Sequence, residues 1–105
     1  IAAGFEPGQH LILASSDMSH FLTAEMARKQ DGPVIERILE LDHAGMLQQV
    51  LREGVSMCGV YPAYVMIQAA RTLGASRAEV IEYTHSGVVT GDHTDVVAYL
   101  GVRIW

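Results

Sequence analysis

The segment from residue 11 to residue 20, LILASSDMSH, places a short apolar run directly before a cluster of polar side chains. An apolar run of this length predicts a buried strand at about residues 10–15. Polar groups at the carboxyl end of such a strand lie where open α/β sheets bind their ligands. If the chain turns helical after Ser16, then Asp17 and His20 are one turn apart and lie on the same face. The segment therefore predicts a site built around Asp17 and His20.

The next part of the chain has the patterns of helices. A short helix is predicted at residues 23–29, and another is predicted to begin at Asp31-Gly32-Pro33, because proline is tolerated in a first turn. Asp42 is the predicted cap of a further helix, and Gly54 is its predicted left-handed end. The segment from Pro62 to Leu73 is apolar nearly all round, which predicts a largely buried helix.

Two strands are predicted near the end of the chain, at residues 76–84 and 95–104, with a turn-rich, glycine-containing segment between them. The second strand is nearly all apolar, which predicts burial on both of its faces. The order of elements indicates an α/β fold with a mixed sheet covered by helices. Three strands are few for such a sheet, so we expect a missing amino-terminal half or a partner chain to complete it.

Composition excludes several classes of partner. The net charge is −5 and the chain has only seven Lys and Arg residues, which is not the charge distribution of a nucleic-acid-binding protein. No apolar run reaches the length of a membrane-spanning helix, so no membrane partner is expected. The single cysteine excludes an internal disulfide and predicts a cytoplasmic location.

The polar residues of the first segment have structural as well as functional interpretations. Asp17 has the residue type of a helix N-cap, and His20 in a first helical turn would tend to stay neutral, able to bind a metal or accept a proton. A plain hydrogen-bonded histidine is the alternative. A nucleophilic role for Ser15 or Ser16 is disfavoured, because the sequence lacks the Gly-x-Ser-x-Gly pattern around them.

Cys58 is the second candidate residue. A lone cysteine is most often a small buried apolar residue. Here it lies just before a predicted helix, whose amino-terminal dipole favours the metal-binding thiolate. His10, His43, His85 and His93 do not have the spacing of a ligand set. His43 is predicted to face solvent, whereas His85 and His93 flank the glycine-containing segment, from which they could approach a site.

Several ordered motifs together resemble a known family. They are ASSDMSHF at residues 14–21, I-x-x-L-D at 38–42, SMCG-x-x-P at 56–62, Y-x-x-SG-x-x-TGD at 83–92 and VVAY at 96–99. This pattern is similar to the MEMO family, also called AmmeMemoRadiSam system protein B, whose fold resembles that of class III extradiol dioxygenases. The resemblance implies that residues 1–105 are the carboxyl-terminal part of a single MEMO-like domain.

The resemblance also implies a metal site. In the family, a cysteine that matches Cys58 binds one metal ion together with two histidines from the earlier part of the domain, and the residues that match Asp17 and His20 line the same pocket. Iron or copper is the implied metal, with zinc as a further candidate. The two histidine ligands have no counterpart in this sequence, so this chain on its own is expected to bind metal weakly or not at all. Val88 stands where the family commonly has an aspartate.

Two functions follow as hypotheses. One is a metal-dependent oxidoreductase in which Cys58 and Asp17 hold the metal, and His20, oriented by Asp17, acts as acid or base. The other is a non-enzymatic module that binds phosphotyrosine-containing peptides in a vestigial dioxygenase pocket, which needs an arginine or a helix amino terminus nearby. A peptide or a small aromatic ligand is the expected partner.

Overall fold

The computed structural model describes residue 4, residue 6 and residues 12–105. The elements are, in chain order, β1 (Asp17–Leu22), α1 (Ala24–Leu39), α2 (His43–Glu53), α3 (Val60–Thr72), β2 (Ala78–His85), α4 (Gly87–Thr90) and β3 (Val96–Ile104). Helix α1 packs against all three strands, α2 packs against α1, and α3 packs against α2. The predicted α/β class is therefore confirmed. The three strands form one sheet in the order β1-β3-β2, and both of its strand pairs are antiparallel.

The first strand lies later in the chain than predicted. β1 begins at Asp17, whereas residues 12–16 are outside any strand and residues 10 and 11 lie outside the described residues. Burial explains the shift, because Met18 of β1 is 1% exposed in the core while Leu13 of the apolar run is 82% exposed. Asp17 is therefore a strand residue, and its predicted role as a helix N-cap is wrong.

Helix α1 runs through the position where the sequence predicts a helix start. Thr23 caps it, because its Oγ1 accepts a hydrogen bond from the backbone N–H of Met26 at 3.1 Å, and Pro33 lies inside the helix. An interior proline costs about 3 kcal/mol. Packing outweighs this cost, since one stripe of the helix is buried. The stripe consists of Ala27, Asp31, Val34 and Ile38.

Helix α2 agrees with the prediction at both of its ends. The Asp42 side chain accepts a hydrogen bond from the Gly45 N–H at 2.9 Å, and Gly54 ends the helix with φ of 63°. Helix α3 begins two residues before the predicted start. Only one side of it is buried: Ile67 is 0% exposed, but Tyr61 is 61% exposed. The prediction that α3 is largely buried is therefore only half correct in the described residues.

The last two strands lie where the sequence predicts them, within two residues at each end. Burial in β3 alternates: Val96 and Ala98 are buried towards the helices, whereas Tyr99 is 41% exposed on the opposite face. The prediction that this strand is covered on both faces is therefore wrong for the described part of the chain, because α1 lies on one face of the sheet.

A buried carboxyl group joins α1 to the sheet. Asp31 is 0% exposed, and its Oδ2 accepts a hydrogen bond from the Tyr83 hydroxyl at 2.6 Å. The guanidinium of Arg28 lies 5.2 Å from the centre of the Tyr83 ring. Burial is the largest of the causes that raise the pKa of Tyr83 far above its ordinary value. The hydrogen bond to Asp31 and the charge of Asp31 raise this pKa further.

Unfolding at alkaline pH tests this contact. The folded-state pKa of Tyr83 lies above the unfolded value of about 10, so the unfolded chain loses this proton first as pH rises. The unfolded state then binds fewer protons, and the free energy of unfolding is expected to fall as pH rises above about 10. Urea unfolding of wild type and Tyr83→Phe from about pH 8 to 11 measures this loss. Equal losses in both proteins would contradict the prediction.

Candidate metal centre

A β-bulge places Asp17 and His20 on the same face of the sheet. Asp17 pairs with Tyr99 and His20 pairs with Val97, so three steps along β1 match two steps along β3. In a regular strand, residues three apart point to opposite faces, and one extra residue removes that alternation. A second irregularity follows at Phe21, which has φ of 59°. Asp17 and His20 therefore lie close together as predicted, but a bulged strand brings them together rather than a helical turn.

The backbone of Ser56 orients the imidazole of His20. The Nδ1 atom lies 2.7 Å from the Ser56 carbonyl oxygen, which can only accept, so Nδ1 carries the proton and donates. The backbone N–H of His20 also donates to the Ser56 Oγ at 2.7 Å. The other ring nitrogen, Nε2, lies 3.4 Å from Oδ2 of Asp17. In the neutral ring Nε2 therefore offers a lone pair, as in metal-binding histidines whose second nitrogen donates to a carbonyl.

The segment that carries Cys58 is held against the residues before β1. The Gly59 N–H donates to Ser16 Oγ at 2.8 Å, and the Ser16 hydroxyl donates to the Asp17 carbonyl at 2.7 Å. The two segments approach so closely that a Cβ at Gly59 would lie 2.6 Å from the Ser15 carbonyl oxygen. A glycine at this position therefore lets Cys58 stand beside Asp17.

Asp17, His20 and Cys58 form the one group of possible metal ligands found among the described residues. Their ligand atoms all lie within 4.8 Å of one another. Two atoms bound to one ion are separated by at most the sum of their bond lengths, about 4.4 Å for sulfur and imidazole nitrogen. The separation of the three ligand atoms is therefore at or near this limit, and the Cys58 side chain is exposed to solvent. The thiolate and the carboxylate are donors that transition metals accept, and the imidazole beside them can serve as a third donor or as an acid or base.

The other sequence candidates have different positions or roles. Ser16 borders the group, because its Oγ lies 3.9 Å from the Cys58 sulfur and forms hydrogen bonds with the backbone of Asp17 and Gly59. His43, which was predicted to face solvent, instead has a buried Nδ1 without a hydrogen-bond partner in the described chain, and its ring meets Tyr64 edge-on at 4.8 Å. His85 and His93 pack against each other, with ring centres 5.2 Å apart. The interpretation of Cys58 as a buried apolar residue is wrong, because its side chain is exposed.

Sequence reasoning missed two residues that shape this site. Ser56 belongs to the SMCG motif, whose pattern indicates no role for it, although it holds His20 at two atoms. Asp31 was interpreted as a helix start, although it is buried and bonded to β1 and β2. The sequence signal for a buried role of Asp31 was its position, because this acidic residue lies on the same stripe of α1 as the apolar residues Ala27 and Val34.

A comparison with protein-family models identifies the class of protein. The model described as "Memo-like protein" matches residues 2–103. The chain therefore belongs to the Memo-like protein family, as the motifs indicated. Among the residues that the structure describes, no helix is both long enough and apolar enough to cross a membrane.

Individual relatives agree with this assignment. A MEMO1 family protein of Methanosarcina acetivorans is 46% identical over 94 residues, covering 90% of this chain and 35% of the relative. A MEMO1 family protein of Methanopyrus kandleri is 45% identical over 92 residues, covering 88% of this chain and 32% of the relative. One of Aquifex aeolicus is 45% identical over 92 residues, covering 88% of this chain and 34% of the relative. The chain thus spans about a third of the length of these curated relatives.

Proposed function

We propose that this protein binds one redox-active metal ion, iron or copper, and acts as a metal-dependent oxidoreductase related to the class III extradiol dioxygenases. The observation that carries the proposal is the convergence of Asp17, His20 and Cys58, with ligand atoms within 4.8 Å of one another. A thiolate ligand suits iron and copper, and also zinc, which could not supply redox chemistry. A reduced Cys58 is consistent with the cytoplasmic location that the single cysteine predicts.

In this proposal Cys58 and Asp17 hold the metal, and His20 handles a proton. The metal, when bound, would supply electron transfer between a substrate and dioxygen. The Ser56 carbonyl keeps the proton of His20 on Nδ1, so Nε2 is the atom that accepts a proton from a substrate and later returns it. Asp17, 3.4 Å from Nε2, stabilises the ring while it carries the extra proton.

We propose a small aromatic ligand as the substrate class. Tyr99 pairs with Asp17 across the strands on the same face of the sheet, and its side chain is 41% exposed. Phe21, which is 77% exposed, lies with its ring centre 5.9 Å from that of His20. Exposed aromatic side chains next to Asp17 and His20 favour an aromatic partner, since stacked and edge-on rings attract each other.

We propose that protein outside this chain completes the sheet and the metal site. The relatives are about three times as long as the matched segment, and the family resemblance implies two further histidine ligands. Exposed apolar groups in this chain support the proposal. Residues 12–14 and one side of α3 form an apolar groove of about 410 Å³, lined in part by Tyr61, Val65 and Met66.

The phosphotyrosine-binding alternative has less support. Asp17 places a carboxyl group in the middle of the site, which opposes a phosphate. Three arginines have partners elsewhere in the described chain: Arg28 lies over Tyr83, Arg37 pairs with Glu40 and Asp42, and Arg103 pairs with Glu79.

A His20→Ala variant of the protein expressed from its complete gene separates proton transfer from metal binding. We expect iron or copper content close to wild type and oxygen-dependent turnover of an aromatic substrate lower by about 10²- to 10⁴-fold, because the acid or base is lost. His93→Ala, which removes an exposed histidine outside the group, is the matched control. Loss of metal from His20→Ala would make His20 a ligand, and unchanged metal and turnover in both His20→Ala and Cys58→Ser would refute the proposed function.

A further inference from the structure

Asp31 contacts β1 midway between the two candidate site residues on that strand. Its Oδ1 accepts a hydrogen bond from the Ser19 hydroxyl at 2.7 Å and from the Ser19 backbone N–H at 3.2 Å. Ser19 lies in the bulge, between Asp17 and His20. A bulge leaves one residue of the strand unpaired, and its backbone N–H then needs another acceptor. Asp31 supplies that acceptor from the helix side of the sheet.

The residue type at position 31 is unusual for its surroundings. Asp31 is 0% exposed and shares its stripe on α1 with apolar residues such as Val34. Burying a carboxyl group is unfavourable unless its oxygens are hydrogen-bonded, and a leucine would fill the space without that cost. The donors that Asp31 satisfies are those of Ser19 and the Tyr83 hydroxyl. Its hydrogen bonds to Ser19 are therefore directed at the bulged part of β1.

We infer that Asp31 is a positioning residue of the candidate metal centre. By holding Ser19, it maintains the bulge that brings Asp17 and His20 onto one face of the sheet. The consequence is that metal binding depends on a carboxyl group on the opposite side of the sheet, and this consequence rests on the proposed function.

Cobalt titration tests the inference, with Co²⁺ alone as the probe and the protein expressed from its complete gene. In Asp31→Leu we expect the affinity for Co²⁺ to fall about tenfold to a hundredfold, which is the loss typical when a group that orients metal ligands is removed. The visible absorption of bound Co²⁺ should also change, since it depends on the number and arrangement of ligands. Asp31→Asn should restore affinity to within about threefold, because its one carbonyl oxygen can still accept from Ser19.

Tyr83→Phe is the matched control for a purely structural role. It removes a hydrogen bond to the same carboxyl group without touching β1. We expect it to leave Co²⁺ affinity and absorption unchanged. An equal loss in Tyr83→Phe, or wild-type binding by folded Asp31→Leu, would overturn the inference. If Asp31→Leu does not fold, Asp31→Ala replaces it, because it also removes the acceptor of both Ser19 donors, and wild-type binding by that variant would overturn the inference equally.

A metal-free readout keeps this inference separable from the proposed function. The imidazole ¹⁵N signals of His20 report which nitrogen carries the proton, and the wild type should show the proton on Nδ1 because of Ser56. Asp31→Leu, or Asp31→Ala in its place, should lose this preference, and Tyr83→Phe should keep it. A wild type that binds none of Co²⁺, iron and copper refutes the proposed function alone. An unchanged His20 signal in the test variant refutes the role of Asp31.

Discussion

Replacing Cys58 by serine is expected to lower the affinity of the protein for iron or copper by at least about a hundredfold. This exceeds the loss of metal affinity, about tenfold to a hundredfold, that is typical when a group outside the ligand set is removed. Cys58 offers the only thiolate in the chain, and its sulfur belongs to the group of ligand atoms with Asp17 and His20. A serine hydroxyl stays protonated at neutral pH and is a poor ligand for these metals. Metal content after anaerobic loading, followed by chelator competition, measures the difference.

The exposed position of Cys58 makes this test specific. Because its side chain contributes little to the core, the metal-free variant should unfold within about 0.5 kcal/mol of the metal-free wild type. Met57→Leu is the matched control, since it alters the neighbouring buried residue of the same segment and should retain the metal. Full metal loading of Cys58→Ser would show that Cys58 is not a ligand.

Replacing Ile67 by alanine is expected to lower the free energy of unfolding by about 2–5 kcal/mol. Ile67 is 0% exposed in α3 and belongs to the main apolar cluster. The loss combines the apolar surface no longer buried and the cavity left behind, because neighbouring side chains collapse only partly. Urea unfolding monitored by circular dichroism measures it as a shift in the midpoint at constant slope.

Val65→Ala on the same helix is the control for this prediction. Val65 is 44% exposed and lies on the groove side of α3, so its truncation should change the free energy of unfolding by less than about 0.5 kcal/mol in this chain. Equal losses from Ile67→Ala and Val65→Ala would mean that α3 is packed on both sides. A loss below about 1 kcal/mol from Ile67→Ala would contradict the packing seen here.

Local signals predicted the middle of the fold well. The ends of α2 follow from Asp42 and Gly54, because a capping side chain and a left-handed residue act on backbone groups within a few positions of themselves. The two late strands follow from their runs of β-branched and aromatic residues. The prediction of two helices, one ending at Lys29 and one beginning at Asp31, is wrong for α1, because the burial that outweighs the cost of Pro33 involves residues of the sheet.

The candidate site was only partly predictable. Asp17, His20 and Cys58 were identified as candidates from residue type and from the family motifs, and their roles remain predictions. The proximity of Asp17 to His20 was expected from a helical turn but arises from a bulged strand. Nothing in residues 17–22 marks a bulge, because its register is set by pairing with β3.

Residue types, caps and hydrophobic periodicity are local properties, and they were sufficient to determine the α/β class, α2, the late strands and the chemical character of the candidate ligands. The arrangement of those ligands depends on contacts between distant parts of the chain. His20 is oriented by Ser56, and Cys58 is placed by the close approach of Gly59 to Ser16. Such contacts satisfy backbone groups that only the folded chain brings together, so the tertiary structure alone decided which face of the sheet carries the site.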